Sequence, residues 1–301
     1  MVAFRALRIR LQQWLFLICT PRLEVQYPMN PWLETLGVIL LAVAGGFAGC
    51  WFSRLPRSFW LLGYFLPFSL ILVRALAMHI PALEFVPPIS WMMLGRVKFA
   101  IVGLVTTMVL TTPLSRLPQR RDRVAVCVLM IWIVLQTSVW PFLAPAFNRN
   151  YLATLKTKID SDGICLQSND YNCGPATAVT ALRKLGLPAE EGQIALLAHT
   201  TSATGTPPDI LAQALQKQYG AQGLVCEYRL FKDIAELKGA GLTLVIVKYS
   251  FMLDHYLTVL EVNDNAVIVG DPLTGITKLT RDEFREKWRH CGIVLKRNAK
   301  F

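Results

Sequence analysis

The chain has 301 residues, 53% of them hydrophobic, and a formal net charge of +11 at pH 7. Residues 1–150 carry 14 Lys and Arg against 4 Asp and Glu, whereas residues 151–301 carry 17 against 16. The basic residues of the first half lie in short breaks between apolar runs, which argues against a nucleic-acid partner and indicates a lipid bilayer.

Four long apolar stretches are predicted to cross a membrane as helices, since each approaches the roughly 20 residues that a spanning helix needs. They are Trp32–Phe52, Phe59–Met78, Met92–Thr112 and Val124–Leu143. The third is the weakest, because Arg96 and Lys98 lie near its start and its apolar core begins at Phe99. The alternative is a set of buried helices in a soluble protein, but four such stretches in a row favour a membrane.

The basic residues also bear on orientation. Phe4–Cys19 mixes arginines with apolar residues, which predicts a basic amphipathic helix at the membrane surface. Residues 53–57 hold two arginines and residues 113–123 four, whereas residues 80–90 hold none. Positive loops favour the cytoplasm, so the C-terminal half is predicted to be extracytoplasmic on a bacterial inner or plasma membrane. Basic residues on both sides of the four stretches point the other way.

The C-terminal half has the pattern of an α+β domain, in which helices precede an antiparallel sheet. Helices are predicted after Cys173 and over Glu190–Ala198, Asp209–Tyr219 and Arg281–Trp288. Strands are predicted over Leu224–Tyr228, Leu242–Tyr249, His255–Val262, Ala266–Val269 and near Ile293–Leu295. The chain is thus divided into a membrane domain, residues 1–150, and a second domain, residues 151–301.

Cys173 carries the strongest chemical signal in the chain. It opens a predicted helix, where unpaired backbone N–H groups and the helix dipole stabilise a thiolate. Gln167 lies six positions earlier and supplies an uncharged donor for an oxyanion beside the sulfur. His255 opens a strand and Asp271 follows the next strand, so the chain offers a thiol, an imidazole and an orienting carboxylate in that order.

Other residues compete for two of these roles. His290 is an alternative base, but no later carboxylate follows it in the chain. Asp254 adjoins His255 on the same strand and would point to the opposite face, and Asp264 lies in a turn. The seven cysteines include no Cys-x-x-Cys pair, so neither a metal site nor a disulfide framework is indicated.

These motifs resemble the bacteriocin-processing cysteine peptidases, family thirty-nine of the cysteine peptidases, which cut leader peptides after a double glycine. The resemblance covers the C-terminal half from about Ile164. It implies a papain-like fold with Cys173 as nucleophile, His255 as general base, Asp271 as orienting carboxylate and Gln167 in the oxyanion hole. Asn172 departs from the family pattern, which usually has Asp before the cysteine.

The function predicted from these residues is that of a membrane-anchored cysteine peptidase. No metal or other cofactor is needed. The sequence contains no Gly-Lys dipeptide and hence no P-loop for ATP, so a transporter partner would be a separate chain. Two alternatives stay open: acyl transfer to an amine by the same chemistry, and a non-enzymatic module that binds leader peptides. The Thr200–Pro208 stretch is either a substrate-facing loop or a plain helix connection.

Overall fold

The computed structural model describes residues 31–56, 59–93, 95–250 and 253–298. The chain forms two compact units, one ending at Ala144 and the other beginning at Pro145. The amphipathic helix predicted over Phe4–Cys19 lies outside the described residues.

The first unit is built from helices. They are α1 (Pro31–Ser53), α2 (Leu62–His79), α3 (Ile89–Met93), α4 (Val97–Thr111) and α5 (Arg120–Val134), with 3-10 turns at Pro81–Phe85 and Leu114–Arg116. α5 continues through a π-helical turn, Leu135–Val139, into α6 (Trp140–Ala153), where the chain passes into the second unit.

Three helical segments in the described part of the chain are long and apolar enough to cross a membrane. They are Pro31–Ser53, Val97–Arg116 and Arg120–Ala153. The apolar helix in the predicted second stretch is shorter, Leu62–Ala77. These helices lie within the four predicted stretches or overlap them, and the number that cross a membrane stays a prediction.

Arg96, which weakened the third stretch at the level of sequence, forms a buried ion pair with Glu34. Arg96 also donates to the backbone carbonyl of Pro141 at 3.3 Å, and its guanidinium lies 5.0 Å from the centroid of the Phe142 ring. These partners offset part of the cost of burying the charge. The helix therefore starts directly after the arginine, at Val97, two residues before the apolar core predicted from Phe99.

α1 and α4 pack closely through small residues. A Cβ atom added to Gly45 would lie 2.4 Å from Thr107 Oγ1, and one added to Gly49 would lie 2.0 Å from Thr111 Oγ1. Both threonine hydroxyls donate to carbonyls of their own helix, Thr107 to Gly103 at 2.9 Å and Thr111 to Thr107 at 2.7 Å. Small residues allow such close backbone approach where apolar burial gives no driving force between helices.

The second unit combines helices with an antiparallel sheet; some of the helices precede the sheet in the chain and others connect its strands. Its helices are α7 (Cys173–Lys184), α8 (Glu191–Leu197), α9 (Pro208–Tyr219), α10 (Ile234–Lys238) and α11 (Arg281–Lys287). A small antiparallel pair consists of β1 (Lys158–Ile159) and β2 (Cys165–Leu166). The main strands are β3 (Leu224–Leu230), β4 (Leu242–Ser250), β5 (Leu253–Val262), β6 (Ala266–Asp271), β7 (Gly275–Thr280) and β8 (Trp288–Arg297), in the order β3-β8-β4-β5-β6-β7.

The sheet topology brings two predicted site residues together where β5 begins and β6 ends. β5 and β6 are antiparallel neighbours, so the start of β5 and the end of β6 lie side by side. His255 is the third residue of β5, and Asp271 is the last residue of β6. A buried apolar cluster that includes Val245, Val267 and Trp288 supports these strands.

Hydrogen bonds fix α7 on β5. Thr177 Oγ1 donates to the carbonyl of Tyr256 at 3.3 Å, and Thr258 Oγ1 donates to the carbonyl of Thr177 at 3.1 Å. Because all three residues are buried, these bonds are shielded from water and hold the helix in register with the strand.

Candidate active site

Cys173 is the first residue of α7 and is 8% exposed. The residue that follows it has little room for a side chain, because a Cβ atom on Gly174 would lie 3.0 Å from the Cβ of Thr206. Thr177 Oγ1 donates to the carbonyl of Cys173 at 2.5 Å, which ties the first turn together. The thiol is therefore held at the N-terminus of a helix, where the dipole favours negative charge.

His255 lies between the thiol and a carboxylate. Its Nε2 is 2.9 Å from Asp271 Oδ1, and the side chain of Cys173 is close enough to the ring to raise its pKa. Because Nε2 is hydrogen-bonded to Asp271, Nδ1 is the ring nitrogen left to interact with the Cys173 thiol. The imidazole is 6% exposed, so its orientation is set by these two partners and by the surrounding protein.

The same neighbours set the charge of the imidazole. Burial lowers the pKa of His255, but the hydrogen bonds and charges of Asp271 and Cys173 outweigh it and raise the pKa to about 9. The imidazolium form is therefore favoured at neutral pH. A cationic imidazole beside a thiol favours the nucleophilic thiolate.

Asp271 is arranged to remain ionised. Burial raises the pKa of its carboxyl, but hydrogen bonds from His255, from the backbone N–H of Leu273 and from the Thr274 side chain lower it below the usual value. The Leu273 N–H lies 2.8 Å from Asp271 Oδ1.

The other carboxylates considered from the sequence have different partners. Asp254 accepts from Arg289 Nε at 2.9 Å, and Asp264 forms an exposed ion pair with Lys238 at 3.4 Å. The structure therefore brings only Asp271 of the three to His255. The alternative base, His290, stacks on Trp288 with ring centroids 4.8 Å apart.

Gln167 follows β2 and is tied to the end of β6. Its backbone N–H donates to the carbonyl of Pro272 at 2.9 Å, next to Asp271 in the chain. Its Nε2 donates to the carbonyl of Asn169 at 2.9 Å, which uses one of the two amide N–H groups and leaves the second for another acceptor. An uncharged donor is thus fixed at the edge of the sheet that carries His255 and Asp271.

Residues 167–172, called here the nucleophile loop, connect Gln167 to Cys173. Glu191, at the start of α8, is fully buried and accepts three hydrogen bonds from this loop. The donors are the Ser168 N–H at 2.9 Å, the Ser168 hydroxyl at 2.7 Å and Asn172 Nδ2 at 3.0 Å. Sequence analysis missed Glu191, because an acidic residue at a helix start is ordinary and shows no sign of its partners.

The Thr200–Pro208 stretch packs beside α7, the helix that begins at Cys173. Thr200 and Thr206 share a hydrogen bond between their hydroxyls at 2.8 Å, and the Tyr256 hydroxyl donates to the carbonyl of Thr206 at 2.9 Å. Burial raises the pKa of Tyr256 well above its usual value, so the phenol stays a neutral donor. These bonds, and the close approach of Thr206 to Gly174, hold the stretch against the start of α7, next to Cys173.

The site combines a thiol at a helix start, an imidazole on a strand and a carboxylate on the neighbouring strand, which are the groups that nucleophilic catalysis by a cysteine requires. Within the described residues, no group of three or more His, Cys, Asp and Glu side chains is placed to hold a metal ion.

Comparison with known proteins places the chain in a family. Residues 162–300 match the Peptidase C39 family, and the chain belongs to this family of cysteine peptidases. An uncharacterized protein of Methanothermobacter marburgensis is 30% identical over 143 residues, which cover 48% of this chain and 94% of that protein. The transport/processing ATP-binding protein PedD of pediocin PA-1, from Pediococcus acidilactici, is 24% identical over 140 residues, which cover 45% of this chain but only 18% of PedD.

Two solved structures align with slightly less than half of the chain. The peptidase domain of Streptococcus ComA aligns with a TM-score of 0.40 at 22% identity, covering 44% of this chain and 96% of that domain. A double glycine motif protease from an AMS/PCAT transporter, solved in complex with the leader peptide, aligns with a TM-score of 0.39 at 16% identity, covering 48% of this chain and 96% of that protease.

Proposed function

We propose that the protein is a membrane-anchored cysteine peptidase with a papain-like catalytic domain, residues 151–301, and a membrane domain, residues 1–150. The observation that carries the proposal is the grouping of Cys173, His255 and Asp271 in a chain of the Peptidase C39 family: His255 is hydrogen-bonded to Asp271, and the side chain of Cys173 also raises its pKa. Cys173 and His255 are buried, which limits the competition of water for these interactions.

In the proposed mechanism, the Cys173 thiolate attacks the carbonyl carbon of the scissile peptide bond. Gln167 and the backbone N–H of Cys173 stabilise the oxyanion. The imidazolium of His255 then donates its proton to the leaving amine, and an acyl-enzyme forms on the sulfur. His255, now neutral, takes a proton from water, and the resulting hydroxide releases the acyl group as a carboxylic acid. Asp271 keeps the ring oriented throughout.

The proposed substrate is a leader peptide cut after a double glycine. Support comes from the family resemblance and from PedD, whose name joins processing to transport. The proposed partners are therefore a peptide substrate, the bilayer and a transporter. The apolar helices of the first unit support anchoring of the catalytic domain at a membrane.

The test uses the full chain in detergent and a fluorogenic peptide that ends in Gly-Gly before the leaving group. Wild type is expected to release the fluorophore and Cys173→Ala to release none. Cys226→Ala is the matched control, because burial raises the pKa of the Cys226 thiol to about 12 and it should play no part in the reaction. Near wild-type turnover by Cys173→Ala would contradict the mechanism.

The products and the labelling pattern separate the two alternatives. Acyl transfer predicts that an added amine, such as hydroxylamine or a glycine peptide, appears in the product in preference to water. A non-enzymatic binding module predicts that iodoacetamide does not modify Cys173 faster than Cys226 at neutral pH, even though the peptide binds.

A further inference from the structure

Glu191 is a carboxylate with unusual surroundings. It is 0% exposed, and its three side-chain hydrogen bonds come from neutral donors on the nucleophile loop. Its own backbone N–H donates to Thr157 Oγ1 at 2.9 Å, which anchors the start of α8. Burying a carboxylate costs several kcal/mol unless it is well hydrogen-bonded, so its placement here calls for a role that a smaller neutral residue would not fill.

The three bonds reach both ends of the nucleophile loop. Ser168 directly follows Gln167, and Asn172 directly precedes Cys173. Glu191 Oε1 accepts from both ends, from the Ser168 N–H at 2.9 Å and from Asn172 Nδ2 at 3.0 Å. One oxygen atom thus fixes the distance between the residues that flank the oxyanion donor and the nucleophile.

The amide at position 172 matches this carboxylate. Asn172 is 0% exposed, its Nδ2 donates to Glu191, and its backbone carbonyl accepts the N–H of Ala176 at 3.0 Å, the first bond of α7. An aspartate at this position would put two buried carboxylates in contact.

We propose that Glu191 is a positioning residue that holds Gln167 and Cys173 in their reactive arrangement through Ser168 and Asn172. This inference rests on the function proposed above. Glu191 acts on the reaction only through the nucleophile loop and does not touch substrate.

The test is a double-mutant cycle in the full chain. Asn172→Asp is expected to lower kcat by about 100-fold with little change in KM, because a small displacement of catalytic groups costs about that much. Glu191→Gln, which keeps an acceptor for the loop, is expected to lower kcat by less than about 10-fold. Asn172→Asp combined with Glu191→Gln is expected to recover at least about 10-fold over Asn172→Asp alone, because the second carboxylate is gone and an amide donor faces the first.

Glu190→Gln is the matched control, with the same chemical change one residue away. Glu190 is exposed and pairs with Arg183 at 2.9 Å, so this variant should behave as wild type. The rate of Cys173 alkylation by iodoacetamide is measured in parallel and should fall in Asn172→Asp and recover in the double variant. This second readout needs no substrate, so it tests Glu191 even if the wild-type protein hydrolyses no peptide.

Two results would overturn the proposal. In one, kcat per titrated active site is unchanged in Asn172→Asp while the unfolding temperature falls, which would make the cluster purely structural. In the other, the double variant is no better than Asn172→Asp in either turnover or alkylation, which would leave the contact between positions 172 and 191 without a role. If the wild-type protein hydrolyses no peptide but the alkylation rates follow the expected pattern, the result would count against the proposed function and not against the role of Glu191.

Discussion

At the scale of single residues, the balance of forces on His255 decides how the site should respond to pH. Burial alone would favour the neutral ring, yet two partners raise its pKa to about 9. The folded protein thus holds this proton more tightly than the unfolded chain does. The stabilisation is complete below the ordinary pKa of 6.5 and is lost as the pH rises through about 9.

This proton should control the alkaline limb of activity. In the proposed mechanism the imidazolium protonates the leaving amine, so kcat is expected to fall as the pH rises through about 9. Asp271→Asn is expected to move this limb to lower pH, since the carboxylate that raises the pKa of His255 is removed. The measurement is kcat between pH 6 and 10, with Asp264→Asn, an exposed carboxylate, as control. An unmoved limb in Asp271→Asn would show that His255 is not the acid.

Replacing Gln167 and replacing His255 should have different effects on alkylation and on turnover. Gln167→Ala is expected to keep most of the reactivity of Cys173 towards iodoacetamide, because the thiolate does not depend on the oxyanion donor. It should lower turnover on peptide by about 10²–10³-fold, the usual cost of one such donor. His255→Ala should lose both activities, since a helix dipole alone seldom activates a thiol enough. If Gln167→Ala slows alkylation as much as His255→Ala does, the glutamine organises the site and is not an oxyanion donor.

The sequence pointed to side chains that the structure brings together, but not to the residues that support them. Cys173, His255 and Asp271 were identified from residue type and from their places at the ends of predicted elements, and the structure brings these three together. Glu191 could not be identified, because its role depends on how the nucleophile loop folds back on α8. Such a contact leaves no spacing or periodicity in the chain.

At the scale of elements, short and exposed segments were the ones that sequence patterns missed. α10 has only five residues, too few for a helical period, although Asp233 caps it by accepting from the Glu236 N–H. β7 forms the edge of the sheet, with Ile276 and Lys278 exposed, so it shows no clear alternation of apolar and polar residues. The long apolar helices and the buried strands were predicted because burial imposes a pattern on them.

The packing of α1 on α4 gives a test at this scale. In Gly49→Ala the new methyl group would lie 2.0 Å from Thr111 Oγ1 and 2.6 Å from the Met108 carbonyl, so the helices must separate. We expect a loss of about 1–3 kcal/mol in the free energy of unfolding, typical of overpacking. Gly46→Ala is the matched control, since nothing lies within 4 Å of its Cβ position. Unfolding in detergent micelles checks the difference, and equal stability of the two variants would contradict this packing.

At the scale of the whole molecule, contacts within the first unit bear on how often the chain crosses the bilayer. Glu34 pairs with Arg96 at the start of α1 and α4, and Ser53 contacts Ser115 at their ends, each pair separated by 62 residues in sequence. The two helices therefore run parallel, with their ends on the same sides. Two parallel spans require the chain to return across the membrane between them.

α2 is the helix between them that can make this return. It has 18 residues, which correspond to about 27 Å of helix, slightly less than the hydrocarbon thickness of about 30 Å. A short span of this kind is accommodated by local thinning of the bilayer at modest cost. The parallel packing thus favours four spans, although the apolar part of α2 is shorter than the three segments that are long enough to cross a membrane.

Four spans would place the loops at residues 53–57 and 113–123 on one side of the membrane and the residues after the last span on the other side. The contact between Arg116 and the Leu55 carbonyl, 3.0 Å, agrees with a common side for the two loops. Because their arginines favour the cytoplasm, alkaline phosphatase fused after Phe301 is expected to be active, and the same reporter fused after Gln119 to be inactive. A fluorescent protein that folds only in the cytoplasm should give the opposite pattern at both sites. The two fusion sites flank the segment formed by α5 and α6. Equal activity of alkaline phosphatase at both sites would contradict a membrane crossing by this segment, and a reversed pattern would place the C-terminal residues in the cytoplasm.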